Sequence, residues 1–206
     1  MHINNNSLAI VLVGDWNKLY TEPEWIAKNI FKQSEIEVRV TFSNSDASLY
    51  CLAKNIIVES RTDRVVFTSR DDEKESIDFL VACVNNFLLS AKSPANVSYG
   101  FNTEYSEENS IVFAEYLDSL PDTGTFIEEG YEIQRTDIKR TIVSEGILLN
   151  IDFRMSGPHL TVHINEHHDT LPDGDSITSE KLIGFIERSK RILIALGYSM
   201  ESDSDD

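Results

Sequence analysis

The sequence predicts an α+β protein: an antiparallel sheet with helices packed on one face. Three observations predict it. Short segments such as "EIEVRVTF" and "HLTVHINEH" alternate apolar and polar residues with the period of a half-buried strand. Two long segments, "EKESIDFLVACVNNFLLSAK" and "SEKLIGFIERSKRILIAL", instead space their apolar residues as an amphipathic helix does. Short polar turns join several of the strand-like runs, which suits hairpins better than the long crossovers that parallel strands need.

The elements follow in order. "SLAIVLVG" is a near-continuous apolar run ending at Gly14 and reads as a buried strand. A short helix is expected from about Glu22 to Phe31, with Thr21 and Glu24 at capping-box spacing and Pro23 in the first turn, where its missing N–H costs nothing. In "EIEVRVTF" the apolar set is Ile36, Val38, Val40 and Phe42. "SLYCLAKNIIVES" and "RVVFTS" flank the turn Arg61–Thr62–Asp63 and read as one hairpin. The first long helix turns Ile77, Leu80, Val81, Val84, Phe87 and Leu88 inward, carries Asp71, Asp72 and Glu73 at its dipole-favoured N-terminus, and is ended by Pro94.

The second half reads similarly. "NVSYGFNTEY" is a strand in which Gly100 suggests a bulge or a close backbone approach. "ENSIVFAEYLDSL" is a short helix stopped by Pro121, and "FIEEGYEIQRTDI" is an irregular strand. "GILLNIDFRM" and "HLTVHINEH" form a hairpin across Ser156–Gly157–Pro158. The last helix turns Leu182, Phe185, Ile186, Ile192, Leu193 and Leu196 inward, with Gly197 as its stop. The order strand–helix–strand–strand–strand–helix thus occurs over 7–92 and again over 96–197. It suggests a tandem duplication of a βαβββα unit, the first over 1–93 and the second over 94–198, together forming one compact domain. The Ser- and Asp-rich tail, 199–206, is expected to be disordered.

Composition narrows the function. A chain of 206 residues, 41% hydrophobic, can bury a core without disulfides or metal. A net charge of −17 disfavours nucleic acid, whose binders neutralise phosphates with Lys and Arg, and disfavours anionic membranes likewise. A basic protein partner suits it better. Cys51 and Cys83 lie in apolar runs and read as buried free thiols of a reducing cytoplasm. The apolar run near the N-terminus, Leu8 to Val13, is too short for a secretory signal or a membrane span.

Four of the five histidines fall in "GPHLTVHINEHHD". Strand parity puts His159, Thr161, His163, Asn165 and His167 on one side, and Leu160, Val162 and Ile164 on the other. His163 and His167 are then about 13 Å apart, too far to share an ion. On the preceding strand Leu149, Ile151, Phe153 and Met155 point inward, and Asn150, Asp152 and Arg154 outward. A two- or four-residue loop keeps the faces consistent and sets Asp152 opposite His163 or Thr161. No nucleotide loop, CxxC, HExxH or GxSxG is present, so no metal or cofactor is expected.

The expected function is a non-enzymatic protein-binding module, of adaptor, chaperone-like or immunity type, acting through an exposed sheet face or edge. Its candidate binding residues are Asp152, Arg154, His163 and His167 on that face and Trp16 in the loop after the first strand. Two other classes compete: an acidic inhibitor that mimics nucleic acid, and an enzyme using the His-bearing face.

Overall fold

The computed structural model describes residues 1–16, 22–42, 47–61, 63–91, 97–108, 110–112, 115, 121–130, 133–144, 146–171 and 176–200. Its strands are β1 (His2–Ile3), β2 (Leu8–Val13), β3 (Glu37–Phe42), β4 (Ala47–Ala53), β5 (Ile56–Ser60), β6 (Arg64–Ser69), β7 (Ser98–Glu108), β8 (Arg135–Ser144), β9 (Ile147–Ser156) and β10 (His159–His168). Its helices include α1 (Pro23–Ile26, continued by a π-helical turn over Ala27–Phe31), α2 (Lys74–Ser90), α3 (Pro121–Glu128) and α4 (Ser179–Ala195). This is an α+β fold built on antiparallel sheet. Contacts divide the chain into one unit of Asn5–Asn102 with Glu166–Phe185, and another of Met1–Asn4, Thr103–Asn165 and Ile186–Asp206.

In the first unit the strand order is β3-β4-β5-β6-β2-β7. Strand β2 is central, paired to β6 from Leu8↔Ser69 to Val13↔Arg64 and to β7 from Ala9↔Asn102 to Val13↔Ser98. Burial from both sides explains its unbroken apolar run. Gly100 sits opposite Val11 in an unbroken register, so the expected bulge is not there. Helix α2 lies against β5 and β6 and buries the six expected residues, with Phe87 at the centre of an aromatic cluster. Its ring is 4.8 Å from Trp16, 5.7 Å from Phe67 and 6.0 Å from Trp25, each edge-on. Asn85 anchors the chain before α4, donating to the Ile177 carbonyl at 2.8 Å and accepting from its N–H at 3.0 Å.

Four expectations change here. "SLYCLAKNIIVES" is itself a hairpin, β4 and β5, because Lys54 takes the left-handed conformation (φ 51°) before Asn55 and turns the chain back. The Lys54 ammonium then lies 4.4 Å from the Phe79 ring centre. Among the described residues the first half therefore carries four strands between its helices where three were expected. Val38 and Val40 are 41% and 47% exposed, since β3 ends the strand order beyond the cover of α2. Pro121 opens α3, and "FIEEGYEIQRTDI" holds the end of α3 and the start of β8. Glu22 is the N-cap of α1, without a side-chain bond; Thr21 lies outside the described residues, as do Pro94, most of "ENSIVFAEYLDSL" and the tail from residue 201.

In the second unit the order is β7-β10-β9-β8, with β1 on β7. β8 and β9 pair from Arg135↔Ser156 to Ser144↔Ile147. Leu149, Ile151 and Phe153 on β9, and Leu160, Val162 and Ile164 on β10, are buried as the parity predicts. Of the expected inward residues of α4 in this unit, Ile186 and Leu193 are buried, Ile192 is half-buried and Leu196 is 45% exposed. Gly197 (φ 94°) ends the helix as expected, and the Tyr198 N–H reaches back to the Leu193 carbonyl at 3.0 Å. That turn returns Tyr198 to a buried position. Among the described residues no helix is long and apolar enough to cross a membrane.

Phe87→Ala removes the ring that both tryptophans contact, and it should lower the unfolding free energy by about 3–5 kcal/mol. Urea unfolding followed by tryptophan emission measures it; a loss below about 1 kcal/mol would show that the cluster is not where the first unit gains its stability.

Candidate functional site

The outward residues of the second unit form an ordered polar face. The β9–β10 connection has two residues, Gly157 (φ 57°) and Pro158, so the strand ends pair Ser156 with His159, and counting back sets Asp152 opposite His163. Two hydrogen bonds carry the network across three strands: Thr141 Oγ1 donates to Asn150 Oδ1 at 2.8 Å, and Asn150 Nδ2 donates to Asn165 Oδ1 at 3.2 Å. Beside them the Arg154 guanidinium holds Asp152 at 2.7 Å, and Lys139, across the β8–β9 pair, is 3.9 Å from the same oxygen. On β7, Glu104 accepts from Asn4 Nδ2 at 2.7 Å, and Ser106 bonds the Asn4 side-chain oxygen.

Burial and charge set the chemistry of this face. The Asp152 side chain is only 14% exposed, and its second oxygen, Oδ1, is buried without a hydrogen-bond partner among the described residues. A buried acceptor without a donor costs free energy, so this one marks a position where a donor is wanted. Burial pushes the His163 imidazole below its ordinary value of 6.5; Glu104 and Asp152 oppose that shift and Arg154 adds to it. The Arg154 guanidinium is held charged by its bond to Asp152. The Arg154–Asp152 pair is half exposed on the Arg side, so it contributes about 0–1 kcal/mol to stability. Its effect is to fix the direction of donors and acceptors.

Three of the five candidate residues, Asp152, Arg154 and His163, thus meet on one face. The other two do not join them. His167 lies beyond that network, 3.1 Å from Asp169, in an exposed pair. Trp16 is 2% exposed and packs on Phe87, with no hydrogen-bond partner for its indole N–H among the described residues; it belongs to the core of the first unit. Asp173 and Asp175, whose carboxylates follow the His-bearing strand in sequence and could offer oxygen ligands, lie outside the described residues. Among the described residues no three His, Cys, Asp or Glu side chains converge as a metal-ligand set.

One cluster escaped the reading of the sequence. Counting parity past Ile164 places Glu166 and His168 on the core side of β10, not among the outward histidines. Glu166 is 1% exposed and accepts from His168 Nε2 at 2.9 Å. The imidazole stacks on Tyr99, 4.3 Å away and 6° from parallel, with Phe101 edge-on at 5.7 Å. Burial, then the Glu166 charge, pushes the Tyr99 phenol up. The carboxylate fixes the imidazole proton on Nε2, which orients the ring against the aromatic pair.

No protein-family model and no curated protein matches the chain.

His163 gives the face a pH dependence of defined sign. Its folded value lies below the unfolded one, so the folded protein binds the proton less readily. Its contribution is absent at higher pH; stability falls as pH drops below 6.5 and levels off once the folded imidazole is protonated. His163→Gln should therefore lose less stability than the parent between about pH 8 and about pH 5. Urea midpoints across that range measure it, and parallel curves for the two proteins would show that His163 is not the group responsible.

Proposed function

We propose that the protein is a non-enzymatic binding module that engages a protein partner through the outward face of β8, β9, β10 and β7. The observation that carries this reading is the half-buried Asp152–Arg154 pair beside His163, with an Asp152 acceptor that lacks a donor among the described residues. Pre-set donors and acceptors on an exposed sheet suit recognition, because their ordering cost is met before the partner arrives. The net charge of −17 favours a basic partner and faster encounter with it. Burial pushes the free thiols of Cys51 and Cys83 up to about 11 and about 12, which keeps them unreactive and agrees with a cytoplasmic setting.

We also infer that the chain arose by tandem duplication, with the boundary near residues 93 and 94. Both halves run strand, helix, strands, helix: from β2 to α2 and from β7 to α4. Among the described residues the halves differ by one strand, and the turn at Lys54 and Asn55 accounts for it as a single run folded in two.

The binding reading predicts that Asp152→Ala combined with His163→Ala loses its partner. Affinity capture from the native source, run side by side with the parent and with matched thermal melts, should lose specific species in the variant. An identical captured set from a folded variant would refute the proposed face.

A further inference from the structure

The outward side of the first unit's sheet carries a second site. Strand pairing turns Arg39 and Ile57 to the side opposite the buried Cys51, Val58 and Phe67, away from α2. Together with Arg70, Asp71, Asn5 and Asn6 they line a concavity of about 560 Å³. All six residues belong to the first unit and lie among the described residues. Two of the six are arginines, in a chain whose net charge is −17.

The backbone holds these residues in place. The Arg70 N–H donates to the Asn55 carbonyl at 2.9 Å, and the Arg70 carbonyl accepts from the Asn6 N–H at 3.3 Å. Arg70 thus ties the turn before β2 to the turn between β4 and β5. Asn6 sits in the left-handed region (φ 60°), which asparagine tolerates better than most residues. Asn55 Nδ2 donates to Asp71 Oδ2 at 2.8 Å, and the Glu73 N–H reaches Asp71 Oδ1 at 3.2 Å. Each Asp71 oxygen keeps a lone pair for a further donor. Glu37 accepts from Arg39 Nε at 2.6 Å, and that bond spares the terminal nitrogens. Arg70 is half-buried, and its guanidinium has no hydrogen bond or ion pair among the described residues. The side-chain amides of the exposed Asn5 and Asn6 likewise have none among those residues.

We propose that this concavity binds a small phosphorylated sugar, its phosphoryl group on Arg70 and Arg39 and its hydroxyls on Asn5, Asn6 and Asp71. Two planar guanidinium forks offer more N–H donors than the roughly four acceptor positions of a carboxylate can use, and a phosphoryl group presents a third oxygen to them. The asparagine amides donate and accept and Asp71 accepts, which is the pattern a hydroxyl needs. An anion pressed against Asp71 would be repelled, so the hydroxyl-bearing body belongs on that side. Ile57 supplies an apolar patch for the C–H side of the sugar. The volume exceeds what a bare phosphate needs and is that of a small-molecule site. Because the chain as a whole repels anions, the recognition is local to the two guanidiniums.

Calorimetry with glucose 6-phosphate, fructose 6-phosphate and ribose 5-phosphate, in a phosphate-free buffer of low ionic strength, tests the proposal. At least one should bind about tenfold or more tightly than inorganic phosphate and than its own unphosphorylated sugar. Arg70→Gln should weaken that sugar phosphate by about tenfold or more, the loss expected for a charge-assisted contact. Asn6→Gly, which keeps the positive φ, should weaken it by about threefold or more while leaving inorganic phosphate nearly unchanged. Arg64→Gln, in an exposed pair with Asp63 at the other end of β6, should leave the sugar phosphate nearly unchanged. Thermal melts check that each variant folds. No binding of any of these sugar phosphates at millimolar concentration, inorganic phosphate bound as tightly, equal losses in Arg64→Gln and Arg70→Gln, or tighter binding of a phosphoserine peptide would overturn the proposal.

Discussion

The two-residue turn at Gly157 and Pro158 decides which side chains meet on each side of the β9–β10 hairpin. A slip of one residue would exchange the faces, carrying Leu160, Val162 and Ile164 to solvent and His163 and Asn165 inward. Burial holds the register. Each of these aliphatic side chains gains about 1.5–3 kcal/mol by leaving water, whereas the Arg154–Asp152 pair on the other side contributes about 0–1 kcal/mol. The polar face therefore does not hold itself together. It is displayed by the apolar face behind it, and its geometry is as fixed as that core.

This explains how much could be read from the sequence. Where period-two alternation is clean, as in β9 and β10, parity alone placed Asp152, Arg154 and His163 together. The helical face of α2 was legible for the same reason, because each expected residue is buried. Legibility failed where local backbone geometry overrode pattern. Nothing in "LAKNII" alone dictates that Lys54 takes a left-handed conformation. The exposure of Val38 and Val40 depends on how far α2 reaches across the sheet, which is a tertiary fact. Trp16 looked like a loop residue because its partner Phe87 is distant in sequence.

Glu166 and His168 show a different failure. Their parity was available, yet the run of inward aliphatic residues ends at Ile164 and neither was assigned to the core side. A carboxylate at 1% exposure is tolerable here because an imidazole meets it at 2.9 Å and an aromatic ring supports that imidazole from behind. A hydrogen bond and ring stacking replaced the hydration that sequence polarity implies. Arg140 was missed as well. A charged residue between two isoleucines reads as a surface position until Phe153, Ile151 and the pocket it lines with Leu196 and Tyr198 identify its side of the strand.

The alternation that hides these residues also separates the outward polar face from the pocket behind it. Lys139 and Arg140 are adjacent in sequence but project to opposite sides of β8, the first toward Asp152 and the second toward the pocket. A change at the pocket could alter the Asp152 network only by favouring one of two arrangements of β8, and strand pairing from Arg135↔Ser156 to Ser144↔Ile147 leaves little room for a second register. Substitutions at Arg140 and Ile142 therefore interrogate the pocket, and substitutions at Asp152 and His163 interrogate the outward face, with little crossover. Coupling between the two would itself be informative, since it would require a second, energetically accessible position of β8.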